Sequence, residues 1–355
     1  MNAWIIKNHG DLSQLKLANV AVPEPKKDQV RIKVKAVGLN HMDIWVRKGV
    51  AGHKFPLPLT PGCDVAGEID QFGELSEKGR ALVERNKLTT GVNVVVFPVV
   101  SCGACRYCIE DFPPLCADFG LIGETENGGL SDYLVMPIQN LVSFNKELSF
   151  EKMAALPIVY VTAWTMLHCK AQLKADDVVL IHAGGSGVSV AATQLAKQIG
   201  AKIITTVGSE EKKALSTSLG ADYCINYKTT NFRDEVKKVL KTLDRKGVDV
   251  VLDHVGGEVF EESLKCLNWG GKIVFCGATS GSKVKIDLKP IFFKNISILG
   301  STMGGFNDFN TVVKYVEQGQ LDPCVDSVYP FSKYPDAVQR LEGRNAFGKV
   351  VVSFD

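Results

Sequence analysis

The chain lacks any imbalance of charge: 41 Lys and Arg stand against 39 Asp and Glu, a net of +2 over 355 residues. There is thus no basic field to attract a nucleic acid or a charged membrane surface, and neither is an expected partner. Long apolar runs are missing; those present are of strand length, too short to cross a bilayer. The opening residues, Met1-Asn2-Ala3-Trp4-Ile5-Ile6-Lys7, have no basic segment leading into an apolar run and no small-residue cleavage site. No secretory signal is expected, and the default location is cytoplasmic. Short-period repeats and low-complexity tracts are also absent. What remains is an ordinary globular composition, 45% apolar and 23% charged, on a chain long enough to form two domains.

The first half reads as strands punctuated by proline and glycine. Residues 30–37 alternate apolar and polar side chains, and residues 62–69 and 92–97 look like further strands. That pattern suits a small, irregular β-barrel. It changes after about Phe150. Residues 178–181 form a short continuous apolar run, as in a strand covered on both faces. A glycine-rich turn follows, then helical spacing over 188–199 that stops at Gly200, a good C-cap. Strands at 202–207, 223–225, 248–252, 272–275 and 296–299 alternate with helices at 210–219, 232–240 and 259–267. Such alternation predicts a parallel sheet with helices on both faces. Beyond about Gly304 the pattern predicts a helix over 310–317 and a last strand over 348–352.

Cys102, Cys105, Cys108 and Cys116 read C-x-x-C-x-x-C-x7-C. A C-x-x-C turn places two sulfurs where one tetrahedral ion can reach both, at about 2.3 Å each, and four thiolates leave no open position, so the site is expected to be structural. Disulfides do not suit a reducing cytosol, and a redox pair needs no further cysteines at close spacing. An iron–sulfur cluster is the chemical competitor; ligand softness and spacing favour one structural zinc. The other cysteines are scattered, as small buried apolar residues are.

Between the strand at 178–181 and the helix behind it lies Ala183-Gly184-Gly185-Ser186-Gly187-Val188-Ser189. Glycines let the backbone approach a pyrophosphate, and the helix N-terminus supplies free N–H groups. The strand–turn–helix context gives a glycine-rich turn this meaning. Ser189 replaces the last glycine of the usual pattern. At the end of the second strand, where an NAD site has Asp or Glu for the ribose 2′-hydroxyl, stands Val207. Ser209 and Lys212 or Lys213 can hold a 2′-phosphate instead, although Glu210 and Glu211 lie beside them. The expected cofactor is NADPH, ahead of NADH.

These features together resemble the medium-chain dehydrogenase/reductase superfamily, in its zinc-type alcohol dehydrogenase and quinone oxidoreductase group. The resemblance runs from Val30 to Val352. It rests on Gly38-Leu39-Asn40-His41-Met42-Asp43, Pro61-Gly62-Cys63-Asp64-Val65-Ala66-Gly67, the cysteine lobe and Gly128-Gly129-Leu130-Ser131-Asp132-Tyr133. The nucleotide turn, Asp253-His254-Val255-Gly256-Gly257 and Gly348-Lys349-Val350 complete it. It implies an α/β fold: a GroES-like irregular β-barrel domain, residues 1–156 and 305–355, and a doubly wound Rossmann domain, residues 157–304, with an active cleft between them. It also implies cofactor contacts from His41, Thr162, Gly184, Gly185, Ser186, Gly187, Val188, Ser209, Lys212, Tyr227 and Gly277. A homodimer or homotetramer is implied through the apolar edge at 296–299.

The departures from the family are as informative. The positions that hold the catalytic metal in zinc alcohol dehydrogenases correspond to Asn40, Cys63 and Ile158. Ile158 cannot ligate and Asn40 is a poor zinc ligand, so the catalytic zinc is expected to be absent. A site rebuilt from His41, Asp43, Cys63 and Asp64 needs three convergent ligands. The tyrosine expected after Asp43 in quinone reductases is not evident; Trp45 occupies that neighbourhood. The reading is an NADPH-dependent reductase of a polarised C=C or C=O group in a small molecule: an enone, enoyl thioester or quinone. Asn40 polarises the carbonyl, and the proton comes from Cys63, Asp64 or solvent. The rival readings are a metal-dependent alcohol dehydrogenase with an unusual site and a catalytically silent nucleotide-binding protein.

Overall fold

A computed structural model of the chain describes residues 1–354. The chain forms two compact units, Met1–Ile158 with the stretch from Gly305 onward, and Val159–Gly304. The first junction falls two residues beyond the one the resemblance implies.

The Val159–Gly304 unit holds a six-stranded parallel sheet. Its order is Tyr223–Asn226, Lys202–Val207, Val178–Ile181, Val248–Asp253, Leu267–Phe275, Ser297–Gly300. In chain order this is 3-2-1-4-5-6, the doubly wound Rossmann arrangement, whose ligand crevice opens where the strand order reverses. That point lies between Val178–Ile181 and Val248–Asp253, paired in parallel at Val179↔Val250, Leu180↔Val251 and Ile181↔Leu252. All four residues of Val178–Ile181 are buried, which is why this strand reads as an unbroken apolar run. The helices Gly187–Ile199 and Glu210–Leu219 both end on a left-handed glycine, Gly200 and Gly220.

The other unit is built on a mostly antiparallel, seven-stranded sheet. Val325–Pro330, Lys349–Ser353, Gln29–Gly38, Asp64–Phe72, Asn93–Val96 and Leu141–Ser143 follow in order, and Tyr133–Pro137 also pairs with Gln29–Gly38. Val30, Ile32, Val34 and Ala36 alternate into its core while Lys33 faces solvent. The C-terminal strand returns beside Gln29–Gly38 with Val351 opposite Gly38, and Leu39 N–H donates to the Val350 carbonyl at 2.8 Å. This pairing brings the C-terminal strand up beside Asn40.

Two elements differ from the sequence pattern for local reasons. The helix expected over 259–267 is Gly257–Leu264, and the chain is already in a strand by Leu267. Leu267 takes a ladder position opposite Val248, and the register shifts before Lys272, with Gly270 at φ 70° in the bulge. The helix expected to start at residue 310 starts at Phe306. Asp111, far away in sequence, accepts hydrogen bonds from the N–H groups of Phe306 and Asn307, each at 2.9 Å. A carboxylate on two first-turn amides caps the helix four residues early. Among the described residues no helix is long and apolar enough to cross a membrane.

Candidate active site, nucleotide turn and metal lobe

Asn40 ends the segment after Gln29–Gly38 and precedes the helix His41–Lys48. Asp64 begins the neighbouring strand with Cys63 just before it, and Lys349 begins the C-terminal one. All four are buried: Cys63 and Asp64 completely, Lys349 4% and Asn40 8% exposed. They form one closed network. Lys349 Nζ donates to Asn40 Oδ1 at 2.7 Å and to Asp64 Oδ2 at 2.8 Å. Asn40 Nδ2 donates to Asp64 Oδ2 at 2.9 Å and lies 3.2 Å from Cys63 Sγ. The second Asp64 oxygen accepts the backbone N–H of Ile158 at 2.9 Å. Donors therefore surround the Asp64 carboxylate, as a buried anion requires. Burial, reinforced by the Asp64 and Asp43 charges, pushes the Cys63 thiol well above its ordinary range. It is a neutral thiol and a poor acid.

Asp43 sits beneath this network and staples two loops. Its oxygens accept the N–H of Asn40 at 2.7 Å and that of Gly62 at 3.0 Å. Burial raises its pKa to about 6, with those two amides and Lys349 working against the rise. His41 is half-buried, packs edge-to-face on Trp45 at 5.6 Å between centroids, and is held below its ordinary pKa by burial.

In the other unit the turn after Ile181 is held by its neighbours. Gly184 N–H donates to the Thr206 carbonyl at 2.8 Å, and a Cβ at Gly184 would lie 2.5 Å from Thr205 Oγ1, so only glycine fits. Ser186 caps the helix Gly187–Ile199, accepting the Ser189 N–H at 3.3 Å. Gly185, Gly187 and Val188 complete the turn and the first helical turn. Thr162 is buried, its hydroxyl 3.7 Å from the Met303 sulfur, and Gly277 lies against His254.

At the end of the second strand Val207 is 1% exposed and offers no carboxylate. Ser209 caps the next helix through the Lys212 N–H at 3.2 Å. Glu210 is drawn to Asn226 Nδ2 at 2.8 Å and to Lys213 at 3.7 Å. Tyr227 is exposed, and its hydroxyl lies where a side chain at Gly208 would meet it at 2.8 Å. Gly208, Ser209, Lys212 and Tyr227 thus gather at one strand end.

The four lobe cysteines have sulfurs that all lie within 4.8 Å of one another. Cys102–Cys108, Cys105–Cys108 and Cys102–Cys116 are separated by 3.8, 3.6 and 3.5 Å. A tetrahedron with arms of about 2.3 Å has edges of about 3.8 Å, so the donor set fits a tetrahedral thiolate-bound ion. N–H groups of Cys105 and Asp118 point at the Cys102 and Cys116 sulfurs at 3.3 and 3.4 Å, favouring thiolates. Among the described residues this is the one group of three or more His, Cys, Asp or Glu close enough to share an ion. His41, Asp43, Cys63 and Asp64 do not converge in that way.

Residues 26–146 match the alcohol dehydrogenase GroES-like domain, and residues 187–318 match the zinc-binding dehydrogenase domain. A quinone oxidoreductase of Mus musculus is 30% identical over 99% of this chain and 97% of its own length. A zinc-type alcohol dehydrogenase-like protein of Schizosaccharomyces pombe is 31% identical over 98% of each chain. The crystal structure of an NAD-dependent alcohol dehydrogenase superposes with a TM-score of 0.92 at 39% identity, over 99% of each chain.

The chain belongs to the medium-chain dehydrogenase/reductase superfamily.

It is accordingly an NAD(P)-dependent oxidoreductase, with the GroES-like and Rossmann domains of that superfamily. Its sequence-derived candidates Asn40, Cys63 and Asp64 are brought into direct contact. Lys349 belongs with them, although only its place in the Gly348-Lys349-Val350 motif marked it. A lone lysine in a strand ordinarily reads as solvated; here strand pairing carries it into the interior. Ile158 meets the site through its backbone N–H and cannot ligate with its side chain.

Proposed function

We propose that this medium-chain dehydrogenase/reductase transfers hydride from NADPH to a polarised C=C or C=O group without a catalytic metal. The substrate class is an enone, enoyl thioester or quinone. The observation that carries this reading is the Lys349 ammonium, 2.7 Å from Asn40 Oδ1 and 2.8 Å from Asp64 Oδ2. The residues at the expected metal positions are an amide, a neutral buried thiol and an isoleucine. The amide turns its N–H groups to the sulfur and its oxygen to a cation already in place. That donor set does not fit an open zinc site, which takes three protein ligands. Without a Lewis acid a simple alkoxide is poorly stabilised, whereas an enone spreads its charge as hydride reaches the β-carbon. The Asn40 N–H now resting on Cys63 sulfur is the donor a substrate oxygen can take over, because sulfur is a weak acceptor. The solvent supplies the proton, since Cys63 is a poor acid and Asp64 only accepts.

NADPH is the proposed cofactor, on Ser209, Lys212 and Tyr227 around Gly208 and the missing strand-end acid. The cysteine lobe is proposed to hold one structural zinc. The lobe exposes Ile109 at 75% and Leu115 at 54%, so it has little apolar core of its own. An ion that ties its four sulfurs replaces that core.

The second reading, a metal-dependent alcohol dehydrogenase, is favoured by the similarity to the NAD-dependent alcohol dehydrogenase structure. Elemental analysis with a panel of enones, quinones and alcohols separates the two. One zinc per chain, lost in Cys105→Ser, with enone or quinone reduction is the expected result. A second zinc on which alcohol oxidation depends would falsify the proposal. Lys212→Ala should raise the KM for NADPH at least tenfold, by loss of one charge-assisted contact worth about 1.5–3 kcal/mol. Equal use of NADH and NADPH by the unmodified protein excludes the cofactor assignment.

A further inference from the structure

The nucleotide turn departs from the usual pattern at Ser189, and one side chain from another strand answers that departure. His254 follows the strand Val248–Asp253, so it emerges at the point where the strand order reverses, next to the turn that follows Val178–Ile181. Its Nε2 lies 2.7 Å from Ser186 Oγ and 2.9 Å from Ser189 Oγ. Asp253 holds the loop that carries it, accepting the N–H groups of Val255 at 2.6 Å and Gly256 at 3.2 Å.

The directions of these hydrogen bonds follow from counting protons. Ser189 has one hydroxyl proton, and it is given to the His182 carbonyl at 2.6 Å, which can only accept. Ser189 Oγ therefore faces His254 Nε2 with a lone pair. Two lone pairs at 2.9 Å repel, so the proton between them is on Nε2. His254 is the donor to both serines, its single Nε2 proton shared between them. Ser186 Oγ then accepts twice, from His254 and from the Ser189 N–H, which leaves its own proton to give. Inside the protein the recipient is Ser189 Oγ at 3.1 Å, long for a hydroxyl donor. A phosphate oxygen is a stronger acceptor, and Ser186 caps the helix whose N-terminus faces the turn.

We propose that His254 is a positioning residue for cofactor binding. By donating from Nε2 it turns the Ser186 hydroxyl outward as a donor to the dinucleotide pyrophosphate, and it locks Ser189 against His182. It takes over the function of the close helix–strand packing that the missing glycine gives elsewhere. The inference rests on the turn at residues 183–189 holding the pyrophosphate.

The test is the Kd for NADPH, read from NADPH fluorescence, together with KM, kcat and the melting temperature of the cofactor-free protein. His254→Leu should raise Kd and KM for NADPH about tenfold, the effect of one lost hydrogen bond to a charged group, while kcat moves far less. His254→Gln, which can place an N–H donor near the position of Nε2, should restore most of the affinity. A purely structural role predicts equal loss of melting temperature and no rescue by Gln. An unchanged Kd in a folded His254→Leu protein overturns the inference, as does equal weakening by Leu and Gln. Ser186→Asp keeps a helix cap but sets a carboxylate at the turn, so it should abolish NADPH binding. If Ser186→Asp binds NADPH normally, the turn is not the pyrophosphate site and the underlying reading fails. If it loses binding while His254→Leu does not, only the role of His254 is wrong.

Discussion

At the scale of single residues, the interior of the GroES-like unit depends on a few buried charges. Lys349 and Asp64 are almost wholly removed from water, and each is the other's ion partner. Removing one member leaves the other charged in a low-dielectric site, at a cost of roughly 3–5 kcal/mol. Lys349→Met should therefore lower the denaturant midpoint sharply, and adding Asp64→Asn should recover part of the loss. Additive losses in the double variant would show that the pair is not coupled. Asp43 makes a different prediction. Its folded-state pKa is about 6 against an ordinary 3.8, so the folded protein binds more protons between those values. Stability is then greatest below about pH 4 for this group. It falls as pH rises through 6, by roughly 3 kcal/mol for a shift of this size. Asp43→Asn has no such titration, so its stability should fall less than the wild type's between pH 4 and 6. Parallel curves for the two proteins would refute this assignment.

At the scale of elements, the cysteine lobe and the C-terminal helix are tied by one side chain. Asp111, at φ 57° between Cys108 and Cys116, accepts the first two amides of Phe306–Glu317. Loss of a capping acceptor costs about 1–2 kcal/mol. Asp111→Ala should lower the melting temperature, and if the lobe holds the proposed zinc, removing it should loosen the same helix, because the ion would order the loop that carries Asp111. Hydrogen exchange at Phe306 and Asn307 reads both effects; unchanged protection after zinc removal would separate the lobe from the helix. The cap was not visible in the sequence, because nothing local marks an aspartate as a partner for amides 195 residues away. The glycine-rich turn between Val178–Ile181 and Gly187–Ile199, proposed to hold the cofactor, was visible, because strand, glycines and helix are contiguous. The contribution of His254 to it was not, because it comes from a neighbouring strand.

At the scale of the whole molecule, we propose the homodimer or homotetramer that the resemblance implies, on the strength of an unpaired sheet edge. Ser297–Gly300 ends the parallel sheet with a neighbour on one side only. Ile298 on it is 37% exposed, and Trp269, Leu288, Phe292 and Phe293 in the same unit are 64–69% exposed. Exposed apolar side chains with a free strand edge suit pairing with a second copy. Ile298→Lys should shift the sedimentation coefficient to that of a smaller species. A wild-type protein that is already monomeric at micromolar concentration removes the proposal.

Wherever a signal is local or periodic, the sequence by itself determined the outcome. Alternation set the strands at the start of the chain, unbroken apolar runs set the parallel sheet, and cysteine spacing brought four sulfurs within 4.8 Å. Tertiary structure alone decided which distant groups meet. Strand pairing at Val351↔Gly38 buries Lys349 beside Asn40 and Asp64, and thereby commits the Asn40 amide hydrogens that the sequence left open. The physical reason is that periodicity reports which face of an element is buried, while the partner of a buried polar group is chosen by register between strands far apart in the chain.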